Sequence, residues 1–384
     1  MLNGVDIMQC YICHKRLNEN NAHHFYKRMC KECGEKNWSK REEHISLSGY
    51  TALVTGGRIK IGYETALKLL RSGAFVIVTT RFPVDAVKRY SEEKDFEQWF
   101  QRLRIYQIDF RQLQSIFTFI DYLYTELEYL DILINNAAQT VRFDHTHYKH
   151  LYLSEDSTYV ALPEHLKSLI IKQENQKNIE VLQKSLDMML PIVPLQLRES
   201  HNPLDLEAFE SCELTLRASS KNYHKNSWNS RACDISLIEM LEVQLINTTT
   251  PFMLCTSLRQ LMEQSPHKFK HIVNVSAMEG QFYKKNKNSY HPHTNMAKAS
   301  LNMLTRTSAQ DFIKSGILMN SVDTGWITDE NPDWIRFKNK QNGLFPPLDA
   351  KDGASRLCDP IFSSVRLKNH IYGAFLKDYK QTRW

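Results

Sequence analysis

The stretch Tyr50-Thr51-Ala52-Leu53-Val54-Thr55-Gly56-Gly57-Arg58-Ile59-Lys60-Ile61-Gly62 decides the fold. Residues 50–54 are a short apolar run of strand length. Residues 62–72 follow with Ala66, Leu67, Leu69 and Leu70 at helical spacing. A glycine-bearing loop joins the two. In a strand–loop–helix unit that loop is where a dinucleotide pyrophosphate sits, on backbone N–H groups and the positive end of the helix dipole. Glycine is needed wherever a Cβ would keep backbone and phosphate apart.

Working outward, the strand–helix rhythm continues. Residues 74–80 are a near-continuous apolar run, as expected of a strand buried on both faces. The pattern then predicts a strand over 103–108, a helix over 112–127 and a strand over 130–134. It resumes with a long helical stretch over 235–262, a strand over 271–275, a helix over 296–313 and strands over 317–322 and 370–376. This order predicts an α/β, Rossmann-type doubly wound parallel sheet. Between its halves the rhythm breaks. Residues 162–190 carry Leu166, Leu169, Ile170, Leu182, Leu186 and Met189 at helical spacing, and residues 196–230 are polar. The expected organisation is a zinc-ribbon module over 1–48, the Rossmann-type domain over 49–139 and 232–384, and a mainly helical insertion over 140–231 on the substrate side.

The 384 residues carry 49 Lys+Arg against 43 Asp+Glu, a net charge of +6. That excess is too small and dispersed to argue for a nucleic-acid partner. No apolar run approaches membrane-spanning length, and residues 1–33 have no signal-peptide or transit character, so a cytoplasmic protein with no membrane partner is expected. No glycine falls between Gly73 and Gly280.

Near the N-terminus stand Cys10-Tyr11-Ile12-Cys13 and Cys30-Lys31-Glu32-Cys33. Paired CxxC knuckles at this separation suit one tetrahedral zinc, which would supply folding energy that so short a segment cannot draw from a core. Gly34 is expected to make a tight turn after the second knuckle. Four thiolates leave no open coordination position, so the metal would be structural. The alternatives are unligated thiols, or His14, His23 or His24 in place of one cysteine. Lys27, Arg28, Lys31, Lys36, Lys40 and Arg41 read either as a contact surface for a protein partner or as solvated charge, and solvated charge is favoured. Cys212, Cys233, Cys255 and Cys358 have no ligand spacing and read as core or loop thiols.

The landmarks of the nucleotide-binding part resemble the short-chain dehydrogenase/reductase family. That family carries Thr-Gly-x-x-x-Gly-x-Gly after the first strand; Thr55, Gly56 and Gly62 match, and Lys60 replaces the middle glycine. Its Asn-Asn-Ala-Gly appears as Asn135-Asn136-Ala137-Ala138. Asp109 falls on the adenine-contacting Asp, Ser276 on the active-site serine, Asn247 on the helix asparagine and Lys298 on the active-site lysine. Residues 320–328, with Thr324 for proline and ending at Thr328, resemble the segment after the sixth strand. The resemblance implies cofactor contacts from Thr55, Gly56, Arg58, Lys60, Ile61, Gly62, Asp109, Asn136, Ala137, Lys298 and Thr328. It also implies hydride transfer on a small carbonyl or alcohol substrate, and homo-oligomers built through the fourth and fifth helices.

Cofactor choice has a separate argument. The second strand ends Thr79-Thr80-Arg81, without the acid that holds an NAD ribose. Arg81, Arg58 and Lys60 could meet a 2′-phosphate, so NADP(H) is favoured over NAD(H). The departure lies at the reaction centre. The family places a tyrosine four residues before its lysine, and Thr294 stands there. An alcohol is a far weaker acid than a phenol of pKa about 10. Tyr283, Tyr290, His291 and His293 are candidate substitutes. The expected function is an NADP(H)-dependent oxidoreductase with Ser276 polarising the substrate oxygen. The alternative is a catalytically weak or inactive cofactor-binding sensor or scaffold, acting through the zinc module and the insertion.

Overall fold

Strand residues that are apolar on both sides need cover on both sides, and the computed structural model supplies it. It describes residues 8–143, 145–172, 226–283, 287–328, 330–341 and 344–384. The strands are β1 (Thr51–Val54), β2 (Phe75–Thr80), β3 (Leu103–Gln107), β4 (Ile132–Asn135), β5 (Ile170–Ile171), β6 (Lys270–Ser276), β7 (Ile317–Asp323), β8 (Phe375–Lys377) and β9 (Lys380–Thr382). They form one sheet in the order β5-β3-β2-β1-β4-β6-β7-β8-β9. Each pair is parallel except the final β8–β9 hairpin. The order reverses at β1, so a crevice opens at the carboxyl ends of β1 and β4, where this architecture takes ligands.

The helices are α1 (Lys31–Arg41), α2 (Lys60–Arg71), α3 (Pro83–Ser91), α4 (Leu113–Glu126), α5 (His145–Ala161), α6 (Glu164–Lys167), α7 (Leu237–Gln244), α8 (Thr250–Ser257), α9 (Arg259–Glu263), α10 (Pro292–Phe312), α11 (Asp333–Gln341) and α12 (Ala350–Leu367). Successive strand residues feed opposite layers. Ala52 and Val54 of β1 join an apolar cluster with Leu69 of α2, Val87 of α3 and Leu357 of α12. Leu53 joins another with Phe119 of α4, Leu254 of α8 and Phe312 of α10. Among the described residues no helix is long and apolar enough to cross a membrane.

The sequence reading differs from the fold in several places. The long helix over 235–262 is α7, a π turn at Leu245–Thr249, α8 and α9. The helix over 296–313 starts earlier, at Pro292, whose fixed φ suits a first turn. The last strand is Phe375–Lys377, with residues 370–374 irregular, and β9 follows it. Ile170–Ile171, expected to be helical, extend the sheet beside β3, where Ile170 is buried and Ile171 half-buried against its edge. The compact unit that holds the sheet runs to Lys172 and resumes at Asn226. The helical pattern over 173–190, the polar stretch up to 225 and Cys212 lie outside the described residues.

The N-terminal module contains two isolated bridges, Gln9 with Arg16 and Ala22 with Cys30, and then α1, which begins at the second knuckle. Gly34 lies inside α1 rather than in a turn. A Cβ there would stand 2.3 Å from Cγ of His23, so the close approach of that ring requires glycine.

Candidate active site

The loop after β1 is a braced cradle. Thr55 Oγ1 accepts the backbone N–H groups of Asn136 (2.9 Å) and Ala137 (3.0 Å). Asn136 Nδ2 donates to the carbonyls of Thr55 (2.9 Å) and Gly56 (3.1 Å). Tyr90 donates to the carbonyl of Gly57 at 2.6 Å. A Cβ on Gly62 would stand 2.2 Å from the Gly56 carbonyl oxygen and 2.4 Å from Asn136 Nδ2, so glycine is obligatory there. Lys60, at the position of the family's middle glycine, adopts a left-handed backbone, with φ +55°. For a residue with a Cβ that conformation costs on the order of 1–2 kcal/mol.

The three cations expected to meet phosphate already have partners. Arg58 pairs with Asp85 at 2.7 Å, and Lys60 with Glu330 at 3.2 Å. Arg81 lies over the rings of Phe82 (5.3 Å) and Tyr148 (4.6 Å), and Arg58 also lies over Phe82 at 5.4 Å. Arg58 and Arg81 therefore converge on one ring at the end of β2. The sequence reading missed Asp85. Its one signal is its place in the first turn of α3, four residues before Arg89, with which it pairs at 2.7 Å. It missed Glu155 too, whose carboxylate accepts the N–H groups of Val84 (3.0 Å) and Asp85 (3.1 Å) at the start of α3. The described start of the insertion, α5, thus packs against the start of α3, just beyond the end of β2. Asp109 is gripped by Arg111 at 2.6 Å. Burial pushes the Asp109 carboxyl up, but the Arg111 hydrogen bonds and charge outweigh it and hold it below the usual range.

A buried polar ladder underlies the candidate reaction centre. Asn135 Nδ2 donates to Asn274 Oδ1 (2.8 Å), Asn274 Nδ2 to Thr305 Oγ1 (2.9 Å), and Ser321 Oγ to Thr305 Oγ1 (2.8 Å). These bonds tie β4, β6 and β7 to α10. Lys298, one helical turn past Thr294, is buried and donates to the carbonyl of Val275 at 2.7 Å, immediately before Ser276. Burial brings the Lys298 ammonium down to about 8, against the opposing pull of Glu279 and Asp323. The buried hydroxyls of Ser276 and Thr294 have no hydrogen-bond partner among the described residues. Ser276, Thr294 and Lys298 thus belong to one buried neighbourhood.

The other candidates separate from it. Asn247, within the π turn, spends its amide on Gln139, accepting its N–H (2.8 Å) and donating to its carbonyl (3.0 Å). Tyr283 is 50% and Tyr290 37% exposed, so neither is part of the buried centre. His291 caps α10 and stacks on Trp228 at 4.0 Å. His293 is buried with Nε2 3.5 Å from Glu239 of α7. Thr328 Oγ1 donates to Glu330 at 2.7 Å, which joins it to Lys60.

The four cysteine sulfurs lie within 4.8 Å of one another, with Cys13 and Cys30 at 3.7 Å. Zinc–sulfur bonds of about 2.3 Å in a tetrahedron need sulfurs about 3.8 Å apart, so the set fits that ion. Burial pushes the Cys10 thiol up, but the N–H groups of Cys13, Cys30 and Ile12 outweigh it and bring it to about 7. Burial and neighbouring thiols push Cys33 up. His23 is not a substitute ligand. Its Nδ1 accepts the N–H groups of Phe25 (3.2 Å) and Tyr26 (3.1 Å), which leaves the proton on Nε2, 3.3 Å from Glu35. Of the nearby basic side chains, Lys27, Lys31 and Lys36 are exposed, whereas Lys40 and Arg41 are docked on acids. Arg41 meets Asp349 and Asp352, and Lys40 meets Asp359 at 2.6 Å.

Residues 50–153 match the family described as short chain dehydrogenase, and residues 221–342 match the one described as Enoyl-(Acyl carrier protein) reductase. An uncharacterized protein of Acanthamoeba polyphaga mimivirus is 30% identical over 370 residues, 93% of this chain and 72% of that one. The (+)-neomenthol dehydrogenase of Capsicum annuum is 37% identical over 90 residues, 23% of this chain and only 28% of its own length. A short chain dehydrogenase from Burkholderia cenocepacia in complex with NADP superposes with a TM-score of 0.54 at 17% identity, covering 86% of this chain and 96% of that one. A dehydrogenase/reductase from Sinorhizobium meliloti does so with a TM-score of 0.54 at 18% identity, covering 88% and 96%.

Proposed function

This chain belongs to the short-chain dehydrogenase/reductase family, and from that premise we propose an NADP(H)-dependent oxidoreductase acting on a small carbonyl or alcohol. The observation that carries the reading is the pair of unpartnered buried hydroxyls, Ser276 and Thr294, beside the buried Lys298. Polar groups held dry and unpaired are expensive to bury, and a substrate oxygen would pair them.

The cradle at Gly56 and Gly62 would hold the pyrophosphate, with Lys60 exchanging Glu330 for a phosphate oxygen. Arg58 and Arg81, converging at Phe82, would meet a 2′-phosphate, with Asp85 competing for Arg58. An ammonium has three donors, so Lys298 can keep Val275, offer one to a ribose and turn the third toward Thr294. The bound cofactor supplies hydride. Ser276 would hold the substrate oxygen. Lys298, poised near 8, would supply the proton, with the Thr294 hydroxyl relaying it to that oxygen. Asn247 acts by positioning, since it clips the segment after β4 to the π turn. The four cysteines would hold a structural zinc.

Thr294 also favours a second reading, a weak catalyst that retains cofactor binding. NADPH titration by fluorescence, then turnover on a panel of aldehydes and ketones, separates the two. The enzyme reading requires NADPH binding and a rate that Ser276→Ala and Lys298→Ala each lower by about 100-fold or more. Binding without turnover supports the second reading, and absence of binding removes both.

A further inference from the structure

The segment leaving β7 reaches the cofactor crevice through the N-terminal module. Its first contact is inside the first cysteine knuckle, where Tyr11, between Cys10 and Cys13, accepts the backbone N–H of Trp326 at 2.9 Å. Arg28 then clamps the segment from outside. Its guanidinium lies 5.4 Å from the Trp326 ring and donates to the carbonyl of Phe345 at 3.0 Å. Gly325 adopts φ +82°, and a Cβ there would stand 2.6 Å from Leu348 and 3.3 Å from the Tyr11 hydroxyl. Ile327 and Leu348 pack in the same small core as Cys10, Leu17, Tyr26, Met29 and Cys30.

The far end of this segment meets the phosphate loop. Ile327 and Ile61 both crowd Gly353, where an added Cβ would stand 2.5 and 3.0 Å from them. Thr328 and Lys60 share Glu330, and Asn226 Nδ2 donates to the Glu330 carbonyl at 2.9 Å. A continuous set of contacts therefore runs from the cysteine knuckle to the left-handed Lys60.

We propose that the four-cysteine module is a positioning device for the cofactor crevice: Tyr11 and Arg28 seat residues 324–328 and Glu330 against the phosphate loop, so the metal state of the module sets cofactor affinity. This rests on the cofactor reading of that loop. Zinc on the four cysteines would hold the two knuckles in register, and that register would keep the Tyr11 hydroxyl under the Trp326 N–H. Without that acceptor, a partly buried N–H loses its bond and the segment loses its seat.

The test uses the full chain. NADPH affinity is measured by fluorescence, zinc by metal analysis, and amide exchange over residues 324–328 by mass spectrometry, for wild type, Tyr11→Phe, Arg28→Gln and chelator-stripped protein. The expected result is that Tyr11→Phe and Arg28→Gln retain zinc, weaken NADPH about 3- to 10-fold and speed exchange over 324–328. Their kcat at saturating NADPH is unchanged while KM for NADPH rises. Stripping zinc weakens NADPH at least as much. Wild-type affinity in both variants, or in the stripped protein, overturns the proposal. If wild type itself binds no NADPH, the cofactor reading fails and takes the affinity claim with it, even where exchange over 324–328 responds to zinc.

Discussion

The loop after β1 and the start of α10 each depart by one residue from what the family carries, with opposite consequences. At the loop, lysine replaces glycine, yet the backbone keeps φ +55° and the cradle survives. Its contacts come from backbone and from Thr55 and Asn136, so a side chain pointing outward is compatible with it. At α10, threonine replaces tyrosine. The frame again survives, with Lys298 buried at Val275 and the Asn135–Asn274–Thr305 ladder intact. What is lost there is an acid, and backbone geometry cannot supply one. A binding site built from main chain tolerates substitution better than a proton-transfer site built from one side chain.

Four experiments can break or sharpen that contrast. The largest effect is expected from Gly62→Ala. The added Cβ would collide with the Gly56 carbonyl and Asn136 Nδ2, so NADPH affinity should fall more than 100-fold by fluorescence titration. Retained affinity would mean that the cradle is not a close-contact site.

Next is Lys298→Met. The folded value of about 8 lies below the ordinary 10.5, so between those pH values the unfolded chain holds the proton more tightly. The stability of wild type should rise as pH climbs through that window, with the full penalty, ~3 kcal/mol, present below pH 8. Urea unfolding at pH 7 and pH 10 should show this rise in wild type and not in the variant, which is the more stable of the two at pH 7. A flat wild-type profile would place Lys298 in a wetter site than its burial implies.

Thr294→Tyr restores the missing phenol beside Lys298. The turnover number should gain about 10-fold with little change in NADPH affinity. A loss of turnover would show that the pocket has closed around threonine. The smallest effect is Lys60→Gly. Relief of left-handed strain, offset by the entropy of glycine, should stabilise the protein by about 1 kcal/mol in thermal melts.

Much of this was legible from local pattern. The apolar runs and the Thr55–Gly62 loop predict the parallel sheet and its crevice, and the paired CxxC knuckles predict four convergent sulfurs. The sequence missed what depends on distant partners. Nothing near Lys60 points to Glu330, 270 residues on, and nothing near Arg58 marks Asp85 as its partner. Lys40 and Arg41 read as solvated because their acids, Asp349, Asp352 and Asp359, lie at the start of α12 and within it, more than 300 residues on. Ile170–Ile171 read as helix because two residues are too few to reveal a strand period.

The ends of the sheet carry a consequence of their own. Among the described residues, one border is the two-residue β5 and the other is β9, which runs against its neighbour and bears Lys380. Short or charged borders offer a poor template for a strand from another molecule. Deleting residues 380–384 would uncover β8, whose Phe375 and Leu376 are buried, and would also remove Arg383, whose carbonyl takes a bond from Gln281 at 2.7 Å. Such a shortened chain should self-associate through β8, which would make the β8–β9 hairpin a determinant of solubility.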